Sequence, residues 1–287
     1  MSPLLDASTC HDLLRSFLAE DLGGGDITTN AVVSATQRAH GEVIAKAPLV
    51  LAGIGLFVEV FKLLDRTTKA DIRLCDGEEL SPGQVPARVT ASARALLTGE
   101  RVALNLLQRL SGVATLTQRF VRAVAGTGAQ ILDTRKTTPG LRALEKYAVR
   151  VGGGRNHRND LGEAVLIKEN HIRLAGGVPA ALEAAQTVRG RAKWIEIEVT
   201  NLDELRAALA YSPDIVLLDN MSPPLVRQAV EHVRMHDPAR KIRIEASGGI
   251  TLGNVRDFAV AGVDWISVGA LTHSAPAVDL SFEIEPE

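Results

Sequence analysis

Trp194-Ile195-Glu196-Ile197-Glu198-Val199 alternates without a break, and its reading decides the fold. Successive side chains of a strand point to opposite faces, so Glu196 and Glu198 share one face and the isoleucines the other. Two acids inside and branched apolar residues against outer helices is the pattern of a barrel strand. The same texture runs outward in both directions. Short apolar runs recur at 130–133, 165–168, 215–219, 242–245 and 265–268, with helical patterns between them at 141–150, 179–188, 202–210, 223–235 and 252–261. Strand–helix alternation predicts a parallel sheet with right-handed crossovers. Six such units fall short of the eight of a closed (β/α) barrel, so the expectation is an open, incomplete α/β barrel, with a doubly wound open sheet as the alternative. Nearly every run ends in a polar residue or glycine: Asp133, Lys168, Glu198, Asp219, Glu245 with Ser247, then Gly269. Parallel strands bring those ends to one rim, where barrels of this kind build their sites.

The N-terminal part reads differently. A helix is expected over 11–20, a turn at Gly23-Gly24-Gly25-Asp26, strands over 41–47 and 85–92, and a helix over 53–64. A longer helix is predicted from about Ala95 to Leu110, broken by Gly112. The domains are therefore drawn as 1–112 and 113–274. The chain has 287 residues, 46% hydrophobic and 23% charged, with a formal net charge of −2. That balance supports a globular core and gives no field for nucleic acid or an anionic membrane. Aromatic residues are only 3%, too few for base-stacking platforms. Two distant cysteines, Cys10 and Cys75, fit no metal spacing and suit a reducing compartment. The start, Met1-Ser2-Pro3-Leu4-Leu5-Asp6, lacks the basic and apolar regions of a signal peptide, and no apolar run approaches the roughly 20 residues of a membrane span. A cytoplasmic location is expected.

The chemistry concentrates in residues 133–158, which hold seven Lys or Arg against two acids. Arg142, Lys146 and Arg150 recur at helical spacing and read as a solvated face. Arg135 and Lys136 follow a strand end, and His157 and Arg158 follow the run Gly152-Gly153-Gly154. Arginine offers a planar fork for carboxylate or phosphate, and lysine a compact charge. Such groups suit a ligand with several negative charges. Lys168 ends a strand and could bind an anion or form a Schiff base; His171 nearby is a weak signal. Glu198 and Asp219 on adjacent strand ends could hold sugar hydroxyls or a hard cation such as Mg²⁺. Glu196, deeper, fits a purely neutralising role. Ser247-Gly248-Gly249 and Gly269, with His273 beyond it, end the last two strands, the usual phosphate grip of a barrel. On the long helix Arg101, Asn105 and Gln108 form a polar stripe, either an exposed face or one offered to a neighbouring site.

Together these stretches resemble the quinolinate phosphoribosyltransferase family. The resemblance rests on Gly25-Asp26-Ile27-Thr28-Thr29, Leu104–Gly112, Asp133-Thr134-Arg135-Lys136-Thr137-Thr138-Pro139-Gly140, Leu144–Val149, Asn156-His157-Arg158, Leu166-Ile167-Lys168, Leu218-Asp219-Asn220-Met221, Ser247-Gly248-Gly249-Ile250 and Ser267-Val268-Gly269. It spans almost the whole chain in order. It implies an N-terminal α/β sandwich packed on an open α/β barrel, with 275–287 returning to the first domain. It implies transfer of phosphoribosyl from 5-phosphoribosyl 1-diphosphate to quinolinate, with Mg²⁺, in a homodimer whose Arg101 reaches the partner's site. By the same likeness Arg101, Arg135, His157, Arg158 and Lys168 meet quinolinate, and Thr134 belongs to the substrate-binding set. Lys136 and Lys168 lie near the diphosphate, Glu198 and Asp219 hold the ribose and place Mg²⁺, and Ser247, Gly248, Gly249, Gly269 and His273 take the 5′-phosphate. Lys136, Lys168, Glu198 and Asp219 are the expected catalytic groups. Asp160 and Glu163 depart from the family's pattern after Arg158, which leaves the shape of that loop open. The rivals are a Schiff-base lyase or isomerase using Lys168, the relative found beside molybdate transporters, and a barrel that only binds nucleotide.

Overall fold

A computed structural model describes residues 7–287, with side chains from residue 10 onward; the start read for a signal peptide lies outside them. The chain begins with α1 (Ala7–Leu22), α2 (Ile27–Val32), β1 (Arg38–Ala45), β2 (Leu49–Val50), α3 (Ile54–Leu64), β3 (Lys69–Ile72), β4 (Glu79–Leu80), β5 (Ala87–Ser92) and α4 (Ala93–Ala123). Then come β6 (Gln130–Leu132), α5 (Arg142–Val151), β7 (Val165–Ile167), α6 (Glu169–Ala175), α7 (Val178–Gln186), β8 (Ile195–Val199), α8 (Leu202–Leu209) and β9 (Ile215–Asp219). The last are α9 (Pro223–His236), β10 (Arg243–Ser247), α10 (Val255–Val260), β11 (Trp265–Ser267), α11 (Ala270–His273) and β12 (Leu280–Pro286).

The chain divides into two compact units. One holds the residues up to Leu116 together with Ala143–Gly152 and Ala275–Glu287. Its main sheet is antiparallel, in the order β12-β1-β5-β3. Every second residue of β1 and β5 is buried, the alternation expected of a sheet with one face covered. The cover is α3, whose Phe57 and Phe61 lie 5.2 Å apart between ring centroids and each meet Phe282 of β12 at 5.4 Å. Aromatic contacts of this kind add about 0.5–1.5 kcal/mol each beyond the area they bury. Asp26 caps α2 by accepting from the Thr29 N–H at 2.9 Å, so the expected turn at 23–26 leads into a short helix the sequence reading did not anticipate.

The predicted break at Gly112 does not occur: α4 continues to Ala123. A Cβ on Gly112 would lie 2.0 Å from the Pro276 carbonyl oxygen, so the glycine is there for close backbone approach and not for a helix end. The adjoining Ser111 is fully buried and exchanges hydrogen bonds with the backbone of Ala52.

The second unit holds Thr117–Arg142 and Gly153–Ser274. Its six strands are all parallel, in the order β6-β11-β10-β9-β8-β7. From β7 to β11 the strands succeed one another in one direction with no reversal of order, unlike a doubly wound sheet, and β6 and β7 remain as edges, so the barrel is open. Each strand lies within two residues of its predicted run. The helix α6, which starts directly after Lys168, was not predicted. Residues 155–157 run beside the end of β6: Arg155 N–H donates to the Ile131 carbonyl and Asp133 N–H to the Arg155 carbonyl. Glu163 closes the loop that the sequence left open. Its carboxylate accepts from the Asn159 N–H and from Lys193, both at 2.6 Å, while Asp160 accepts from the Gly162 N–H at 2.8 Å. Among the described residues, no helix is long and apolar enough to cross a membrane.

Candidate active site

The strand ends of the second unit surround a cavity of about 790 Å³. Thr134, Arg135 and Lys136 enter it after β6, Lys168 after β7, Glu198 on β8 and Asp219 on β9. Ser247, Gly248 and Gly249 come from the end of β10, and Gly269 with His273 from the turn after β11. His157 and Arg158 complete the wall. Arg101 is elsewhere: α4 carries it on an exposed face of the first unit, together with Asn105. Gln108 of the same stripe is spoken for, donating to the Leu280 carbonyl of β12 at 3.0 Å.

The cations are held in different ways. Arg158 is buried; its Nη1 donates to the Ala164 carbonyl at 2.9 Å. Burial and the neighbouring charge of Arg135 both push its pKa down. Arg135 has its Nε buried with no hydrogen-bond partner among the described residues. Two arginines that repel one another, one with an unsatisfied donor, make a site awaiting an anion. The Lys136 peptide is fixed from both sides: its N–H donates to Thr134 Oγ1 at 3.0 Å, and its carbonyl accepts from the buried Thr272 hydroxyl at 2.7 Å. Lys168 Nζ lies 2.8 Å from Glu198 Oε2.

The acids face them. Burial raises the pKa of Asp219, and the charge of Glu198 raises it further, against the opposite pull of Lys168 and Lys136. Asn220 positions that carboxylate: it adopts a left-handed φ of 53° and its Nδ2 donates to Asp219 Oδ2 at 2.7 Å. Gly248 makes room for Asn220. Its φ is +92°, and a Cβ there would lie 2.2 Å from Asn220 Oδ1. Neither Asn220 nor Thr272 stands out in the sequence as a site residue, since each acts through a neighbouring carboxylate or backbone carbonyl and not on the ligand.

Beneath the cavity lies a buried polar floor. His157 Nε2 is 3.0 Å from Glu196 Oε2 and 3.5 Å from Glu245 Oε2. Trp194 Nε1–H donates to Glu196 Oε2 at 3.1 Å, and its ring meets His157 edge-on. The His157 N–H donates to Asp133 Oδ1 at 2.9 Å. Burial, with Glu245 beside it, pushes the Glu196 carboxyl pKa up. For His157 burial works against a charge, but the Glu196 carboxylate that faces its Nε2 and the nearby Glu245 carboxylate outweigh it and hold the pKa up to about 10. Glu196 thus answers a histidine and a tryptophan, and its charge also favours the Arg158 guanidinium, in keeping with the neutralising role expected of it.

A rim with four cationic side chains, two carboxylates and glycine turns at the last strand ends defines an enzyme of the α/β barrel class acting on small, multiply anionic substrates. Comparison with known proteins carries this further. The N-terminal domain of quinolinate phosphoribosyl transferase matches residues 26–111 and its C-terminal domain residues 113–283. The nicotinate-nucleotide pyrophosphorylase [carboxylating] of Mycobacterium leprae is 44% identical over 282 residues, covering 96% of each chain. Quinolinate phosphoribosyltransferase [decarboxylating] 2b, mitochondrial, of Nicotiana tabacum is 37% identical, over 96% of this chain and 82% of its own. The crystal structure of NadC from Streptococcus pyogenes superposes with a TM-score of 0.93 at 39% identity, over 99% of both chains. The chain belongs to the quinolinate phosphoribosyl transferase family.

Proposed function

We propose that this chain joins quinolinate to 5-phosphoribosyl 1-diphosphate and releases diphosphate and CO₂, forming nicotinate mononucleotide for NAD synthesis. Family membership supports the reaction. The observation that carries the substrate assignment is the pair Arg135 and Arg158, two cations that repel one another, the first with a buried Nε that has no hydrogen-bond partner among the described residues. Quinolinate brings two carboxylates.

In this reading the pyridine nitrogen attacks C1′ of the ribose as the C1′–oxygen bond to diphosphate breaks. Positive charge grows on the ribose ring, and Glu198 and Asp219 stabilise it from the strand ends. Lys136 and Lys168 offset the charge of the departing diphosphate. Alkylation leaves the ring nitrogen cationic. The bond to the adjacent carboxylate then breaks, CO₂ leaves, and a proton takes up the electron pair left on the ring carbon. Catalysis is positioning plus electrostatics, with no covalent enzyme intermediate. Lys168 Nζ is engaged by Glu198 at 2.8 Å, and no step of this reaction calls for a Schiff base from it.

The two rim carboxylates are hard oxygen donors that fit Mg²⁺ arriving with the diphosphate, Glu198 and Asp219 being the protein groups in reach. When bound, the ion supplies charge neutralisation to the leaving group. A homodimer in the cytoplasm is part of the proposal. Its support is Arg101, exposed and free of ion pairs among the described residues, as a residue serving a neighbouring subunit would be. The test is an assay of purified protein with quinolinate, phosphoribosyl diphosphate and Mg²⁺, following CO₂ and nicotinate mononucleotide, with nicotinate as control. Product from quinolinate alone is expected. Tight binding of phosphoribosyl diphosphate without turnover would favour a non-catalytic barrel.

A further inference from the structure

We infer that Arg142 is a positioning residue for the anion site: its guanidinium ties the loop that carries Arg135 and Lys136 to the loop that carries Arg158, and so sets the spacing of the cations that meet the substrate. The inference rests on the quinolinate reading for the identity of that substrate. Helical spacing alone puts Arg142 on a solvated face. In the structure it is half-buried and turned toward the protein: Nε donates to Thr137 Oγ1 at 3.0 Å and Nη1 to the Asn159 carbonyl at 3.0 Å. Each partner directly follows a residue of the cavity wall, Thr137 after Lys136 and Asn159 after Arg158. One planar fork thus holds both loops beside their cations.

The helix itself does not call for an arginine at this place. Arg142 is the first residue of α5, where a cation opposes the helix dipole. Both of its acceptors are neutral, so the bridge adds hydrogen bonds without cancelling the positive charge. The loops, by contrast, need a tie. The charge of Arg135 disfavours that of Arg158, a repulsion that acts from one loop on the other. At their bases the loops are joined through Asp133, whose Oδ1 accepts from the His157 N–H at 2.9 Å. Arg142 joins them again past the cations, so Arg135, Lys136 and Arg158 stand between two ties. The remaining bonds fix each loop singly. Thr137 N–H donates to the Arg135 carbonyl at 2.9 Å, and Thr272 holds the Lys136 carbonyl. Asn159 is gripped at both ends of its peptide groups, its N–H by Glu163 at 2.6 Å and its carbonyl by Arg142.

The experiment compares Arg142→Lys and Arg142→Ala in the full-length enzyme. Lysine keeps the charge but places it on a single nitrogen, which cannot reproduce the fork. Both variants are expected to raise the quinolinate KM by about tenfold or more, with the melting temperature little changed. A lysine variant with the wild-type KM would overturn the inference, since charge alone would then suffice. Thr137→Val removes one acceptor and leaves the arginine in place. It should also raise the quinolinate KM, and add little when combined with Arg142→Lys, because that bond is already lost. Fully additive effects would count against the bridge. A second readout needs no substrate. In ligand-free Arg142→Lys, backbone amides of 134–141 and 158–163 should exchange hydrogen faster than in wild type, followed by mass spectrometry. Unchanged exchange in either loop would refute the tie. Should the Arg142 variants not fold, Thr137→Val carries both measurements. Wild-type enzyme inactive on quinolinate would sink the quinolinate reading and leave the exchange data to decide the bridge.

Discussion

Arg135 and Arg158 sit close enough to depress the pKa of Arg158, a cost the fold carries in the absence of ligand. An anion repays it, so the arginines and their neighbouring lysine should matter far more for turnover than for folding. Arg158→Ala and Lys136→Ala are each expected to lower kcat/KM by about 10²–10³ or more while leaving circular dichroism and melting unchanged; near-normal turnover in both would remove these residues from the site. Asp219 makes a sharper case. Its folded pKa lies above the unfolded value, so folding disfavours the ionised form. The penalty sets in as pH rises past the unfolded pKa and is complete above the folded one. At neutral pH Asp219→Asn removes that penalty and keeps an oxygen for Asn220. The variant should therefore melt higher than wild type by up to a few degrees while losing turnover. The wild-type acid limb of kcat/KM should fall above the ordinary carboxylate range, where Asp219 takes up its proton. A variant that melts lower would show that the carboxylate stabilises the fold after all.

Elements reveal how much a sequence makes legible. The barrel strands could be read because each couples an apolar run to a polar terminus, and Glu196 with Glu198 fixed which face of β8 turns inward. α6 escaped because it starts at Glu169, directly on the end of β7, with no spacer to mark a new element. β3 escaped because all four of its residues are exposed, so no burial pattern shaped its composition. The site followed the same division. Groups that meet the ligand carry charge and stand out, whereas Thr272 and Trp194, which act on a backbone carbonyl and a buried carboxylate, look like ordinary core or loop residues. Gly112 was misread for a physical reason: in a helix a glycine signals either an end or a close contact, and only the packed structure distinguishes them. Gly112→Ala tests that. Helix propensity alone would stabilise α4 by about 1 kcal/mol. The clash with the Pro276 carbonyl at 2.0 Å should reverse the sign and cost about 1–3 kcal/mol, read by denaturant unfolding.

At the scale of the whole molecule the unassigned piece is Arg101. It lies on a helix whose other face is buried through Leu104 and Leu107, yet its own side is exposed. A solvated arginine needs no explanation alone, but the proposed reaction brings a dianionic ring and a diphosphate to the four rim cations, and a further cation from a partner would complement them. The proposed homodimer with shared sites would give Arg101 that role, and it makes a quantitative prediction. Arg101→Ala and Lys168→Ala should each be inactive by themselves. In a mixed dimer one site combines both substitutions and the other has neither. Random exchange makes about half the dimers mixed, each with one intact site, so equal amounts of the two variants should recover about a quarter of wild-type turnover. Subunit exchange is confirmed independently by mass spectrometry of differently tagged chains. Recovery near that level requires that Arg101 and Lys168 of one active site come from different chains. No recovery despite exchange would place both residues' functions within a single chain, or leave Arg101 without one.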